Sequence, residues 1–209
     1  MSTGEGLNLF ISLVALANPL GNLPIFLHLT AGETAAGRRR VALVSGATAF
    51  VTLTAVYWFG PDALDAFGIS LAAFFLGGGL VVTLYGLVMV RAPETLIPGP
   101  GDKTAAAEPR SPAIVPLAIP LFAGPAAFAR VMYERFPHSR IEAEAEVTLV
   151  ILAAAALITV VLLCSDLVVR WVGSAGISAL SRILGMLLMA IGFSMITEAL
   201  KQIWPALAG

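Results

Sequence analysis

The sequence predicts an all-α integral membrane protein of six transmembrane helices in two inverted-topology repeats of three, with helices 1 and 4 broken at mid-membrane. Three observations lead to this prediction: the composition, the length of the apolar stretches, and motifs that the two halves share. Hydrophobic residues make up 58% of the chain and charged residues 12%, and the mean hydropathy is +0.92. A soluble domain carries about 25% charged residues, so the composition indicates a chain that lies in lipid.

The charged residues are clustered, and apolar stretches of about 20 residues separate them, the length that crosses about 30 Å of hydrocarbon. We expect the first stretch to be retained as a helix, because it lacks the basic flank and small-residue cleavage site of a signal peptide. The predicted spans are 7–29, 41–59, 69–90, 112–133, 147–169 and 180–203.

Residues 91–111 mark the boundary between the two halves of the chain. They are rich in proline, glycine and charged residues, which is typical of a flexible linker. The linker separates a first three-helix repeat, residues 1–90, from a second, residues 112–209.

Basic residues are unequally divided between the two sides of this topology. The side that holds loops 30–40, 91–111 and 170–179 is rich in Lys and Arg, whereas acidic residues crowd the other side. Because Lys- and Arg-rich loops stay in the cytoplasm, we predict a cytoplasmic linker and extracytoplasmic termini. The basic residues of the cytoplasmic side are Arg38, Arg39, Arg40, Arg91, Lys103, Arg110 and Arg170.

The two halves share motifs in the same order. "LVALANPLGNLP" at 13–24 aligns with "IVPLAIPLFAGP" at 114–125. In this alignment Pro19 matches Pro120, and Pro24 matches Pro125. "GISLAAFFLGGGL" at 68–80 aligns with "GISALSRILGMLL" at 176–188. Because three spans is an odd number, the second copy enters the membrane from the opposite side, which is the design of many alternating-access transporters.

Prolines interrupt the first and fourth predicted spans near their centres. Proline lacks an N–H group, so Pro19, Pro24, Pro120 and Pro125 each leave a carbonyl one turn earlier without its helical partner. Unpaired backbone costs several kcal/mol per group in lipid and persists only when buried in protein or lining a watery cavity. Inverted symmetry would bring the two breaks together at the midplane.

We therefore predict a solute site between the two breaks. Asn18 and Asn22 are four residues apart and share a face if the helix continues between them, and their amides can donate and accept. Freed carbonyls can bind an ammonium group, and the helix N-termini after each break attract a carboxylate. Gly21 and Gly124 allow close approach or unwinding. The predicted substrate-binding residues are Asn18, Pro19, Gly21, Asn22, Pro24, Pro120, Gly124 and Pro125.

Charged residues are absent from the centre of every predicted span, which favours a small neutral or zwitterionic solute. Those near span ends, Arg130, Asp166, Arg182 and Glu198, are expected to extend to the membrane interface. Glycines in spans three and six predict close helix packing. These glycines are Gly77, Gly78, Gly79, Gly86, Gly185 and Gly192.

Other chemistry finds little support in the sequence. There is no HExxH motif, no glycine-rich phosphate loop and no nucleic-acid-binding pattern, so we predict neither an enzyme nor a nucleic-acid partner, and no cofactor or metal. The single cysteine, Cys164, excludes an internal disulfide and is expected to be a small buried core residue. The predicted partners are the lipid bilayer and a small-molecule substrate, and the sequence leaves open whether the chain forms a homo-oligomer.

"ANPLGNLPIF" in the first span and "PLAIPLFAGPAAFA" in the fourth resemble the two signature stretches of the MarC family of bacterial inner-membrane proteins. "FGIS" followed by "GGGL", and "GISALSRILGMLLMAIG", resemble its third and sixth spans. Phe122 and Ala126 depart from the usual second signature. The resemblance implies the fold, a place in the LysE-type exporter superfamily, the bacterial cytoplasmic (inner) membrane and, as for some members, transport of small neutral amino acids such as glycine and alanine.

The expected function is thus secondary transport of a small neutral solute, as an exporter or exchanger, with small neutral amino acids as the favoured class. Two other functions are compatible with the sequence. A non-transporting scaffold or assembly subunit would need no polar cavity at the midplane, and a channel would show a continuous pore.

Overall fold

The computed structural model describes residues 3–91, 122–135 and 141–204, and every regular element within them is a helix. The predicted linker therefore lies outside the described residues, apart from Arg91. The helices are α1 (Thr3–Ala17), α2 (Leu23–Leu29), α3 (Ala35–Ala66), α4 (Leu71–Arg91), α5 (Pro125–Arg135), α6 (Ile141–Leu163) and α7 (Ser165–Ile203).

Four of the described helical segments are long and apolar enough to cross a membrane by themselves. The first predicted span is divided between α1 and α2, and the fourth is described only from Phe122 onward, so neither forms one long helix here. The all-α membrane architecture is confirmed, whereas the count of six spans stays a prediction. The four segments are Ala35–Ala66, Leu71–Arg91, Glu144–Leu163 and Ala175–Ile203.

The predicted connector at 60–68 is wrong in its extent. Helix α3 continues through Pro61 to Ala66, and a short turn then leads to α4. Proline removes one helical hydrogen bond, but α3 retains its course because the bonds on either side persist. A helix of 32 residues is about 48 Å long at ~1.5 Å per residue, so it extends beyond the hydrocarbon.

The predicted loop at 170–179 is wrong in its extent, because the structure has only a kink there, which divides α7 into two helical parts. Only Gly173 departs from helical geometry, with φ 72° and ψ 166°, a conformation that glycine adopts because it has no Cβ. The true connection between α6 and α7 is a single residue, Cys164, which is exposed. The expectation that Cys164 lies in the core is therefore wrong.

Helices α4 and α7 form a close glycine-lined contact, as predicted. A methyl group added to Gly79 would lie 2.7 Å from the carbonyl oxygen of Gly192, and one added to Gly86 would lie 2.5 Å from that of Gly185. Glycine is needed at these four positions because the two backbones approach each other directly. Gly77, by contrast, faces open space, so the prediction of close packing is wrong there.

The largest buried cluster lies between α1, α2, α3, α5 and α6, with Phe26, Tyr57, Phe122 and Ile151 among its fully buried side chains. A smaller cluster joins α4, α5 and α7. Many large apolar side chains on the outer faces are exposed, as expected of a surface that contacts lipid tails. The two clusters flank the segment where α1 ends, which places that segment inside the protein.

Candidate solute site at the broken first helix

The first span is broken where the sequence predicts it. The amide of Asn18 still bonds to the carbonyl of Val14 at 2.9 Å, and α1 then ends because Asn18 has a positive φ of 43°. Asparagine tolerates this left-handed conformation better than most residues. After a turn, α2 begins at Leu23, so Pro24 lies in its first turn, where a missing N–H costs no hydrogen bond.

The side chain of Asn18 stabilises the turn that follows it. Its Oδ1 accepts a hydrogen bond from the backbone N–H of Gly21 at 3.2 Å, and its Nδ2 lies 3.7 Å from the sulfur of Met89 on α4. Only 4% of Asn18 is exposed. The asparagine therefore closes the turn as a local cap, rather than standing free on a helix face.

Asn22 connects the two parts of the broken span. It is fully buried, and its Nδ2 donates to the carbonyl of Ala17, the last residue of α1, at 2.9 Å. Its Oδ1 accepts a hydrogen bond of 2.5 Å from the hydroxyl of Tyr85 on α4. The sequence argument that Asn18 and Asn22 share a helical face does not hold, because no helix continues between them.

Helix α7 contributes a second polar contact to the break. The hydroxyl of Ser181 donates to the carbonyl of Gly21 at 3.2 Å, and both residues are buried. A Cβ on Gly21 would lie 2.7 Å from Oδ1 of Asn18 and 2.7 Å from Cε of Met89, so a larger residue would have to displace both side chains. Ser181 thus satisfies a carbonyl that the break removes from helical bonding.

The second break is described from Phe122 onward. Phe122 and Ala123 are fully buried, and Gly124 starts α5 by accepting a hydrogen bond from the amide of Phe128 at 3.0 Å. Pro125 occupies the first helical position, which suits proline. The predicted site residue Pro120 lies outside the described residues.

Both breaks contact α4, and this shared neighbour brings them into one region. The first break contacts α4 through Tyr85 and Met89. At the second break, a Cβ on Gly78 would lie 3.4 Å from the carbonyl oxygen of Pro125. Ala17 and Phe122 also belong to the same buried cluster. In this conformation the polar groups of the first break therefore bond within the protein, and its backbone is shielded from lipid.

Sequence reasoning missed Tyr85 and Ser181, which place hydroxyl groups against the break from two other helices. An isolated hydroxyl within an apolar span is a signal, since a buried polar group needs a partner. The sequence does not reveal which of the hydroxyl-bearing side chains in the spans has that partner, because the choice depends on how distant helices pack.

The amino-acid sequence of the chain matches a known protein family. The model of MarC family integral membrane proteins matches residues 5–204. The chain belongs to the MarC family. The suggested resemblance at the two proline segments is thereby confirmed over nearly the whole chain.

Three curated relatives show how far the MarC family similarity extends. The membrane protein YvbG of Bacillus subtilis is 32% identical over 202 residues, 96% of each chain. A membrane protein of Methanocaldococcus jannaschii is 34% identical over 92% of this chain and 94% of its own. The inner membrane protein MarC of Escherichia coli is 30% identical over 95% of this chain and 94% of its own. No solved structure matches the chain.

Proposed function

We propose that this MarC family protein is a secondary transporter, an exporter or exchanger, of a small neutral solute, with small neutral amino acids as the favoured class. The observation that carries the proposal is the polar break inside an apolar bundle. Asn18, Gly21 and Asn22 are buried there and bond to side chains of α4 and α7. Broken helices that expose backbone groups at the interface of two repeats are the usual substrate sites of such transporters.

The cost of the break supports a role beyond packing. An uninterrupted apolar helix would satisfy its own backbone groups at this depth. Here the side chains of Asn22 and Ser181 instead satisfy backbone carbonyls at the break, and the hydroxyl of Tyr85 satisfies the side-chain oxygen of Asn22. A polar site that several helices jointly complete is the arrangement expected when those groups must exchange partners with a solute.

An inverted repeat is part of the proposal, and the α4–α7 contact supports it. A displacement of 106 residues, from position 79 to position 185, relates Gly79 to Gly185 and Gly86 to Gly192. The contacts between Gly79 and Gly192 and between Gly86 and Gly185 exchange with each other under that displacement. Contacts that exchange in this way are expected of a pseudo-two-fold axis between the two helices. The displacement of the glycines differs by two residues from the displacement that aligns the Gly-Ile-Ser motifs of the two halves.

The neighbouring helices follow the same pattern. Helix α2 packs against α7, and α4 packs against α5. The alignment of the two proline segments relates α2 to α5, and the third and sixth spans relate α4 to α7. Exchange of the proposed repeats therefore turns the first of these contacts into the second. Two near-equivalent halves can exchange inward-open and outward-open roles around a fixed site, which supports a transporter over a scaffold or a channel, and over an enzyme.

In the proposed mechanism, the described conformation has the site closed, with the break's polar groups bonded internally. Solute would replace the Tyr85–Asn22 and Ser181–Gly21 hydrogen bonds as α4 and α7 move away from the break. The ammonium of an amino acid would bind the freed carbonyl of Gly21, and its carboxylate would bind the hydroxyls that Tyr85 and Ser181 then release. The proposed location is the bacterial cytoplasmic membrane, with both termini outside.

The test is transport of labelled glycine, alanine and serine by purified protein in proteoliposomes. The Asn22→Ala variant should transport more slowly, by about two- to twelve-fold for each hydrogen bond worth about 0.5–1.5 kcal/mol, and Asn22→Leu should be slower still. Absence of movement of all three amino acids under every ion gradient would overturn the proposed function. Full activity after replacing both Asn18 and Asn22 with alanine would overturn the site.

A further inference from the structure

A second polar feature lies at the end of the bundle that holds the N-terminus. A cavity of about 310 Å³ opens between the start of α1 and the last turns of α5, lined by Gly4, Glu5, Asn8, Arg130 and Glu134. Asn8 precedes Asn18 by ten residues, which is about 15 Å along a helix at ~1.5 Å per residue. This cavity, called the charged cavity below, is therefore separate from the break and lies nearer to the end of the bundle that holds the N-terminus.

Arg130 is held firmly in this cavity. Its Nη1 forms an ion pair with Glu134, one turn further along α5, and its Nη2 donates to Oδ1 of Asn8 on α1 at 3.4 Å. Only 21% of the Arg130 side chain and 13% of the Glu134 side chain are exposed. The expectation that Arg130 extends to the membrane interface stays a prediction, and the structure adds that its head group bridges two helices.

The cavity presents both signs of charge to a ligand. Arg130 supplies a guanidinium with five N–H donors, and the two described bonds use one from each Nη atom. Glu134 and Glu5 supply carboxylates, and Glu5 lies three residues before Asn8 on the same face of α1. Arg130 and Glu134 lie side by side in the cavity, so a ligand with both a carboxylate and an ammonium can bind both of them, whereas a simple anion or a simple cation can bind only one.

We propose that the charged cavity binds the head group of a free amino acid in its zwitterionic form. The ligand carboxylate would bind Arg130, whose planar guanidinium matches a carboxylate in two parallel hydrogen bonds. The ligand ammonium, with three donors, would bind the carboxylate of Glu134. The volume is at the lower end of the about 300–1,000 Å³ range of small-molecule sites, which suits a small amino acid.

This inference takes its ligand class from the proposed function and adds a separate site to it. A solute would bind at the charged cavity before it reaches the break. Because the charged cavity attracts both the carboxylate and the ammonium of a zwitterion, it would raise the local concentration of the solute at the end of the bundle that holds the N-terminus. Loss of the cavity should therefore raise the half-saturation concentration of transport only for solute on the side of the membrane that the N-terminus faces.

The direct test is equilibrium binding of radiolabelled alanine to the purified full-length protein in detergent micelles. Arg130→Gln should weaken binding at the charged cavity at least about tenfold, the loss expected for two charge-assisted hydrogen bonds, and leave binding at the break unchanged. Arg130→Lys should bind with intermediate affinity, because it keeps the charge and loses the planar fork. Arg91→Gln is the matched control, since Arg91 is an exposed arginine at the end of α4, and it should bind as the wild type does.

Competition tests the chemistry of the ligand. Lactate, which lacks the ammonium, and alaninamide, which lacks the carboxylate, should each displace labelled alanine far less well than unlabelled alanine does. If Arg130→Gln does not yield folded protein, the Arg130→Gln/Glu134→Gln double variant removes both charges of the buried pair, and so leaves no uncompensated ion. That variant should fold and bind alanine weakly.

Unchanged alanine affinity in these variants, equal competition by lactate or alaninamide, or no alanine binding by the wild type would overturn the inference. Transport in proteoliposomes separates this result from the proposed function. Alanine binding that depends on Arg130 without transport would overturn the proposed function alone. Transport with the same half-saturation concentration in Arg130→Gln and wild type, from both sides, would overturn the inference alone.

Discussion

The hydroxyl of Tyr85 donates a 2.5 Å hydrogen bond to the side-chain oxygen of Asn22, joining the centre of α4 to the break in the first span. The two residues are 63 positions apart. The same asparagine donates to the last carbonyl of α1, so one amide couples the end of α1 to α4. Movement of α4 relative to α1 therefore has to break or stretch this bond, which makes it a sensitive point for testing the proposed mechanism.

Tyr85→Phe removes the hydroxyl and keeps the ring. We expect alanine transport in proteoliposomes to fall about two- to twelve-fold, because the open site loses a hydroxyl that would bind the solute and one hydrogen bond contributes about 0.5–1.5 kcal/mol. Tyr133→Phe is the matched control: Tyr133 is 52% exposed, and its ring contacts Phe75 edge-on at 6.3 Å between centroids, a contact that phenylalanine retains. Equal losses in the two variants would show that the Tyr85 bond has no special role.

Ser181→Ala removes the donor to the carbonyl of Gly21. We expect the turn after α1 to open more often, because its carbonyl then lacks this partner inside an apolar region. Hydrogen–deuterium exchange of a peptide that covers residues 18–29 should become about two- to twelve-fold faster. Ser194→Ala, an exposed position on the same helix, should leave that exchange unchanged, and a similar acceleration there would refute the assignment.

Gly79→Ala should weaken the α4–α7 contact, since the new methyl group would lie 2.7 Å from the carbonyl oxygen of Gly192. Overpacking of this kind costs about 1–3 kcal/mol, and we expect a lower midpoint of thermal unfolding in detergent. Gly77→Ala is two residues away on the same helix, where the added group meets open space. It should match the wild type or be slightly more stable, because alanine favours helices. The opposite order would contradict the described packing.

Orientation in the membrane is predicted from the unequal division of Lys and Arg. A reporter that is active only in the cytoplasm should give signal when fused at residue 105 and none when fused at the C-terminus. A periplasmic reporter should give the reverse pattern. If the C-terminal fusion alone reports the cytoplasm, the whole topology is inverted, and the charged cavity then faces inward.

The sequence by itself determined the membrane class and the position of the first break. Both follow from local chemistry: apolar stretches of spanning length need no tertiary information, and the two prolines and the glycine of "NPLGNLP" all disfavour a continuous helix. Family membership also follows from sequence alone, because the model matches residues 5–204. Close packing at Gly79, Gly86, Gly185 and Gly192 was likewise predictable, since small residues within apolar spans serve few other purposes.

Only the tertiary structure decided which partners the break uses and where the ends of the helices lie. The bonds from Tyr85 and Ser181 depend on how α4 and α7 pack, and no local pattern encodes a contact across 63 or 160 residues. The same reason explains Arg130, whose contact with Asn8 crosses 122 residues. Helix α3 runs through a predicted loop, and α7 is only kinked at Gly173 in another, because the length of an apolar stretch sets the minimum for a span and not the end of a helix.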